Sequence, residues 1–184
     1  MKVTSTAIEG CLILEPRIFS DERGFFYESF NQRVFNQATG LEINFVQDNH
    51  SKSSKGVLRG LHYQLPPSAQ GKLVRAVSGA VLDVAVDVRK SSSSFGQWVA
   101  VELSANNHQQ LWLPPGMAHG FLVLSDEAEV LYKATDFYSP VAERIISWDD
   151  PEIGVEWPML NDIRPIISAR DLNGTNLIDA DVFE

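Results

Sequence analysis

Apolar and polar positions alternate along much of this chain. Leu82, Val84, Val86 and Val88 take turns with Asp83, Ala85, Asp87 and Arg89; Val99, Val101 and Leu103 take turns with Ala100 and Glu102. A period of two is that of a strand, whose successive side chains point to opposite faces. Further strand-like runs lie at 3–8, 12–17, 25–30, 57–63, 72–77, 110–113, 120–124, 129–134 and 144–148, with turn residues between them. The serines at 91–94 separate the two alternating runs and read as a hairpin loop. The best helical stretch is 31–39, stopped by Gly40. The pattern thins from Pro158 onward, and the tail after Asn173 is acidic and poorly patterned. No Gly/Ser linker and no internal repeat divides the chain. The expectation is one all-β domain over 1–184. A jelly-roll barrel core at about 45–150 would carry N-terminal strands, short peripheral helices and an irregular C-terminal segment around it. Such a barrel has a mouth and a lumen, where small ligands bind.

Composition narrows the function classes. The chain has 184 residues, 44% of them hydrophobic, enough for an ordinary core and too many for a disordered chain. Its 15 basic and 24 acidic residues give a net charge of −9, which argues against a nucleic-acid polymer as partner. A local basic cluster for a small anion remains compatible with that balance. Cys11 is the one cysteine, so an intramolecular disulfide and a multi-cysteine zinc site are excluded. It reads as a small buried hydrophobe, and a reducing cytoplasm is the expected compartment. Residues 1–9 hold one lysine and no apolar segment, unlike a signal peptide. No window approaches the ~20 apolar residues of a membrane span; the best run, 80–88, is broken by Asp83 and Asp87.

The polar residues on otherwise apolar strands are where chemistry would lie. His62 sits in an apolar run, and imidazole is the side chain best matched to proton transfer near neutral pH. A lone histidine in such a run is ordinarily a satisfied core residue. Strict alternation puts Arg59 and His62 on opposite faces, so a shared site requires a bulge, a twist or a place at the barrel rim. Lys72 opens a strand and in a pocket could stabilise an oxyanion, though a strand-end lysine commonly reaches solvent. Tyr132 is ordinarily a half-buried packing residue, and in a pocket its hydroxyl could give a proton. Asp171 in isolation is a turn carboxylate. Arg23 stands beside Phe25 and Phe26, a grouping able to bind phosphate and stack a base. His119 follows the turn at 114–116. Four histidines without a His-x-His pair make a bound metal a poor fit. There is no cysteine nucleophile motif, P-loop or dinucleotide fingerprint. The set suits cofactor-free proton transfer on a phosphorylated substrate.

The order of several separate motifs adds to this. The Pro-x-Gly turn before His119 resembles the second motif of the cupin superfamily. From about Val3 to Asp171 the chain resembles the dTDP-4-dehydrorhamnose 3,5-epimerase family, through the stretches at 21–26, 45–51, 58–62, 70–75, 95–98, 115–121 and 132–134. The resemblance implies a metal-free cupin-type jelly roll, a homodimer, and a dTDP-4-keto-6-deoxy sugar as substrate, with no cofactor. It makes His62 the catalytic base and Asp171 its carboxylate partner. Lys72 lies beside the 4-keto oxygen, and Tyr132 is the general acid. Arg59 and His119 become substrate contacts near the diphosphate and sugar, and Gln47, Asp48 and Asn49 a nucleotide-side segment. Glu143 is another binding residue. Arg23, Phe26 and Glu28 belong to a segment that contacts substrate partly from the other subunit. Arg170 stands where the family has lysine, which keeps the charge and changes the hydrogen-bond geometry. Other readings of the same residues are a single-carbon epimerase, a 3,4-ketoisomerase, or a sugar-nucleotide-binding cupin without catalysis.

Overall fold

Strands account for most of the ordered backbone in the computed structural model, which describes residues 1–158 and 164–184. They are β1 (Lys2–Ser5), β2 (Leu12–Glu15), β3 (Phe19–Asp21), β4 (Gly24–Phe26), β5 (Gln47–Ser54), β6 (Val57–Gln64), β7 (Lys72–Ser78), β8 (Ala80–Asp87), β9 (Trp98–Ser104), β10 (Gln110–Leu113), β11 (Met117–Val123), β12 (Glu127–Ala134), β13 (Glu143–Ile145) and β14 (Ile166–Ile167). One sheet has the order β1-β2-β10-β7-β12-β5. The facing sheet has the order β13-β6-β11-β8-β9, with β14 added beside β6. All pairings within the two sheets are antiparallel except β14 with β6. This is the jelly roll that the strand spacing predicts, with the N-terminal strands extending the first sheet.

The period of two sorts each strand into an inward and an outward set. Val74, Ala76, Val81, Ala85, Phe121, Val123 and Val130 meet in the apolar part of the interior, together with Cys11. Burial pushes the Cys11 thiol up to about 12, so it behaves as the small hydrophobe expected. The outward Val84 and Val86 of β8, with Val88 just beyond it, are no less buried: Ile153, Leu177 and flanking C-terminal residues cover them. The poorly patterned tail is thus the lid of a second core. The part of the irregular stretch at 159–163 lies outside the described residues.

The helix α1 (Gln32–Thr39) follows its sequence signals. The Asn31 side chain accepts from the N–H groups of Arg33 and Val34, and Gly40 closes the helix at φ 73°. Phe35 is its buried residue and packs edge-on against Trp112 outside the first sheet. The serine loop joins β8 and β9 as the expected hairpin. Ser92 and Ser94 both donate to Asp87, which fixes that loop.

The structure shortens one expected strand and adds one that the pattern does not announce. The run 25–30 forms a strand only through Phe26; beyond it Phe30 turns away to pack on Phe35 and Phe45. The octet Gln47–Ser54 has no apolar run to announce it, yet it is a full edge strand paired with β12. Its inner face is polar because it lines a cleft, and its outer face is polar because it meets solvent.

The opposed faces of Arg59 and His62 are reconciled by a bulge. His119 pairs with His62, and Phe121 with Arg59, so three steps on β6 match two on β11. The extra residue brings both side chains to one cleft, His62 half-buried in its wall and Arg59 exposed at its rim. Gly60 and Gly120 meet there: a Cβ on Gly60 would lie 2.5 Å from the Gly120 Cα, and Gly60 has φ +125°. Gly60→Ala is therefore expected to cost roughly 2–3 kcal/mol, from crowding plus an unfavourable φ, measured by urea unfolding.

Candidate active site

The end of the interior nearest the bulge is polar. Two adjoining clefts, of about 320 and 160 Å³, share His62, Lys72 and Tyr132 in their walls. The larger adds Gln47, Asn49, Gln64, Tyr138 and Glu143; the smaller adds Ser51, Arg59 and His119. The sheets bring these groups from opposite sides. His62, Arg59 and His119 come from the β6–β11 sheet, and Lys72 and Tyr132 from the β7–β12 sheet.

His62 Nε2 lies 2.8 Å from Asp171 Oδ1. Asp171 begins the single turn Asp171–Asn173 and is buried; its Oδ2 accepts the Gly60 N–H at 3.2 Å. Burial by itself raises its pKa. The His62 hydrogen bond and charge and the Gly60 N–H outweigh that and hold the carboxyl below its ordinary range. A carboxylate so placed fixes which ring nitrogen of His62 carries the proton and strengthens the other as a base. The His62 side chain keeps 29% of its surface exposed, which lets it exchange protons with water.

Lys72 is buried, and its Nζ donates to the His62 carbonyl at 3.1 Å. That ammonium stands 6.0 Å from the centre of the Tyr132 ring. Burial lowers the Lys72 pKa to about 8, and the Asp83 charge opposes the shift. Burial raises the Tyr132 pKa, against the Arg59 charge, so the phenol stays protonated through neutral pH. His119 is buried and its Nε2 donates to Asp83 Oδ1 at 2.8 Å; burial lowers its pKa. Arg59 Nε donates to Ser53 Oγ at 3.1 Å. Asn49 Nδ2 and Ser51 Oγ are buried with no hydrogen-bond partner among the described residues. Buried polar atoms of that kind mark a place where a ligand completes the hydrogen bonding.

The sequence expectations separate here. Gln47 and Asn49 face the cleft, with Gln47 Nε2 donating to Asn49 Oδ1 at 3.1 Å. Asp48 does not: alternation turns it outward, where it pairs with Lys133 at 2.8 Å. Glu143 faces the cleft and accepts from the Tyr138 hydroxyl at 2.7 Å; it also pairs with Arg170, which lies at an adjoining groove with Asp171. Arg23 and Phe26 sit on the β3–β4 hairpin, and Glu28 follows it. All three are exposed and none lines these clefts. The sequence reasoning missed Asp83, Ser51, Gln64 and Tyr138 as site residues. Asp83 had a signal, a carboxylate in the middle of an apolar run; the others had none. Among the described residues no three or more His, Cys, Asp or Glu side chains are grouped to hold a metal ion.

Comparison with known proteins fits this geometry. The family model described as dTDP-4-dehydrorhamnose 3,5-epimerase matches residues 5–179. A dTDP-4-dehydrorhamnose 3,5-epimerase of Shigella flexneri is 62% identical over 100% of this chain and 99% of its own length. One from Pseudomonas aeruginosa is 56% identical over the same shares. The crystal structure of a Legionella pneumophila dTDP-6-deoxy-D-glucose-3,5-epimerase in complex with dTDP-4-keto-L-rhamnose superposes with a TM-score of 0.93 at 47% identity, covering 98% of this chain and 94% of that one. With such matches running along nearly all of its length, the chain belongs to the dTDP-4-dehydrorhamnose 3,5-epimerase family.

Proposed function

We propose that this chain converts dTDP-4-dehydro-6-deoxy-D-glucose to dTDP-4-dehydro-L-rhamnose by inverting C3 and C5, a step toward dTDP-L-rhamnose. The observation that carries the reading is the pairing across the cleft. His62, held by Asp171, projects from one sheet, and a protonated phenol with a buried ammonium projects from the other.

The chemistry follows from the ketone at C4. Protons on C3 and C5 are both α to it and therefore acidic. His62, oriented by Asp171, removes one, and the electron pair moves into the enolate with its charge on O4. The Lys72 ammonium, buried in the cleft wall, stabilises that charge where it develops. Tyr132 returns a proton from the opposite face, and the carbon inverts. Repetition at the second carbon gives the L-sugar. Proton loss is balanced by proton gain at each centre, so no redox carrier is required.

Binding roles follow position. Gln47, Asn49, Arg59, His119 and Glu143 line the cleft and would hold the nucleotide sugar; Arg170 would act through Glu143. Arg23, Phe26 and Glu28 would reach the site of a second copy in a homodimer. The exposure of Phe25 (60%) and Phe26 (72%) on the hairpin supports that arrangement. A cytoplasmic location is supported by the lone buried thiol. No helix of the described residues is long and apolar enough to cross a membrane.

The direct test couples the reaction to an NADPH-dependent 4-keto reductase. NADPH consumption that depends on this protein and the nucleotide sugar, with an L-rhamnose product, is the expected result. Binding of the nucleotide sugar without turnover would leave a non-catalytic binding protein.

A further inference from the structure

We propose that Asp83, which no sequence motif singled out as a site residue, is a positioning residue of this site: one carboxylate oxygen fixes His119, and the other stands bare in the interior as the counter-charge to the buried Lys72 side chain. The proposal rests on the reading of Lys72 as the cation beside the developing oxyanion.

The geometry begins with burial. Asp83 is 0% exposed, on the inward set of β8, and its Oδ1 meets His119 Nε2 at 2.8 Å. Its Oδ2 is buried and has no hydrogen-bond partner among the described residues. A carboxylate with a bare oxygen in a dry interior is costly unless a cation balances it. His119 is itself disfavoured as a cation by burial and by Lys72.

The groups facing Lys72 narrow the choice of counter-charge. His62 and Arg59 come from β6, His119 from β11, Tyr132 from β12, and Glu143 from β13. Of the carboxylates around the cleft, Asp171 is held by His62, and Glu143 by Arg170 and Tyr138. Among the described residues Asp83 is the remaining one, and its charge opposes the loss of the Lys72 proton. With Nε2–H given to Asp83, a neutral His119 presents its other ring nitrogen as an acceptor. It would then take a hydrogen bond from a sugar hydroxyl and not donate one to a phosphate.

Asp83→Asn tests this through the pH profile of kcat. Lys72 must be protonated to act, so activity falls as pH rises through its pKa. Removing the counter-charge lowers that pKa, and the alkaline limb should move down by about 1–2 pH units. Near pH 8 the loss should be roughly tenfold or more, shrinking toward pH 6. Tyr132 is not the source of that limb, because burial raises its pKa. Asp83→Glu should restore most of the wild-type profile. A uniform loss at every pH, with the limb unmoved, would overturn the proposal. The wild-type protein in the same assay separates the two questions: if it fails to epimerise at any pH, the functional reading is at fault and not the role of Asp83. Should Asp83→Asn not fold, Lys72→Met and the Lys72→Met/Asp83→Asn double variant decide by melting temperature. The double variant should melt above Lys72→Met, whose Asp83 charge is uncompensated; a lower melting temperature would count against the pairing.

Discussion

His62→Asn should lower kcat by roughly 10²–10⁴-fold, the usual contribution of a positioned proton carrier. Asparagine nearly matches the shape of the imidazole and still meets Asp171, so the fold and nucleotide binding should survive. Calorimetry with dTDP should therefore give a dissociation constant within a few-fold of wild type, while deuterium uptake at C3 and C5 disappears. Loss of binding in step with loss of turnover would instead make His62 a structural residue. Asp171 points to the same pair: its carboxylate is buried against His62 and the Gly60 N–H.

Tyr132→Phe separates exchange from inversion. His62 lies on one sheet and Tyr132 on the other, so they would address opposite faces of a sugar ring held between the sheets. Without the phenol, His62 can still remove a proton and, being partly exposed, return a solvent deuteron to the same face. Deuterium should enter the substrate with its configuration retained, while net inversion falls by roughly 10²–10⁴-fold. A Tyr132→Phe protein that epimerises at the full rate would remove Tyr132 from the mechanism.

Much of the barrel was legible because its strands have one apolar face, and a period of two survives in the sequence wherever that is true. β9 shows it directly, β8 shows it because Asp83 and Asp87 interrupt one of its two covered faces, and Asn31 and Gly40 bound the helix by their own backbone chemistry. β5 was illegible for a physical reason. Its inner face serves a polar cleft and its outer face serves water, so no hydrophobic alternation was left to read. The same logic applies to Asp48, whose neighbours Gln47 and Asn49 face the cleft while it points away.

The site divides in the same way. His62, Lys72, Tyr132 and Asp171 were legible as unusual residues in apolar surroundings or through the family resemblance. Their convergence was not, because it depends on an unpaired residue in β6 that local spacing argued against. Asp83 was visible as a charge in an apolar strand. Its meaning required knowing that this face of β8, and not the valine face, lines the lumen.

The most direct measurement is proton NMR of the wild-type protein with dTDP-4-dehydro-6-deoxy-D-glucose in D2O, without added metal or nicotinamide. The account predicts deuterium at both C3 and C5, in a product of inverted configuration. Exchange at C3 alone would mean a single-carbon epimerase. No exchange at either carbon, in folded protein that binds the nucleotide sugar, would contradict the central claim.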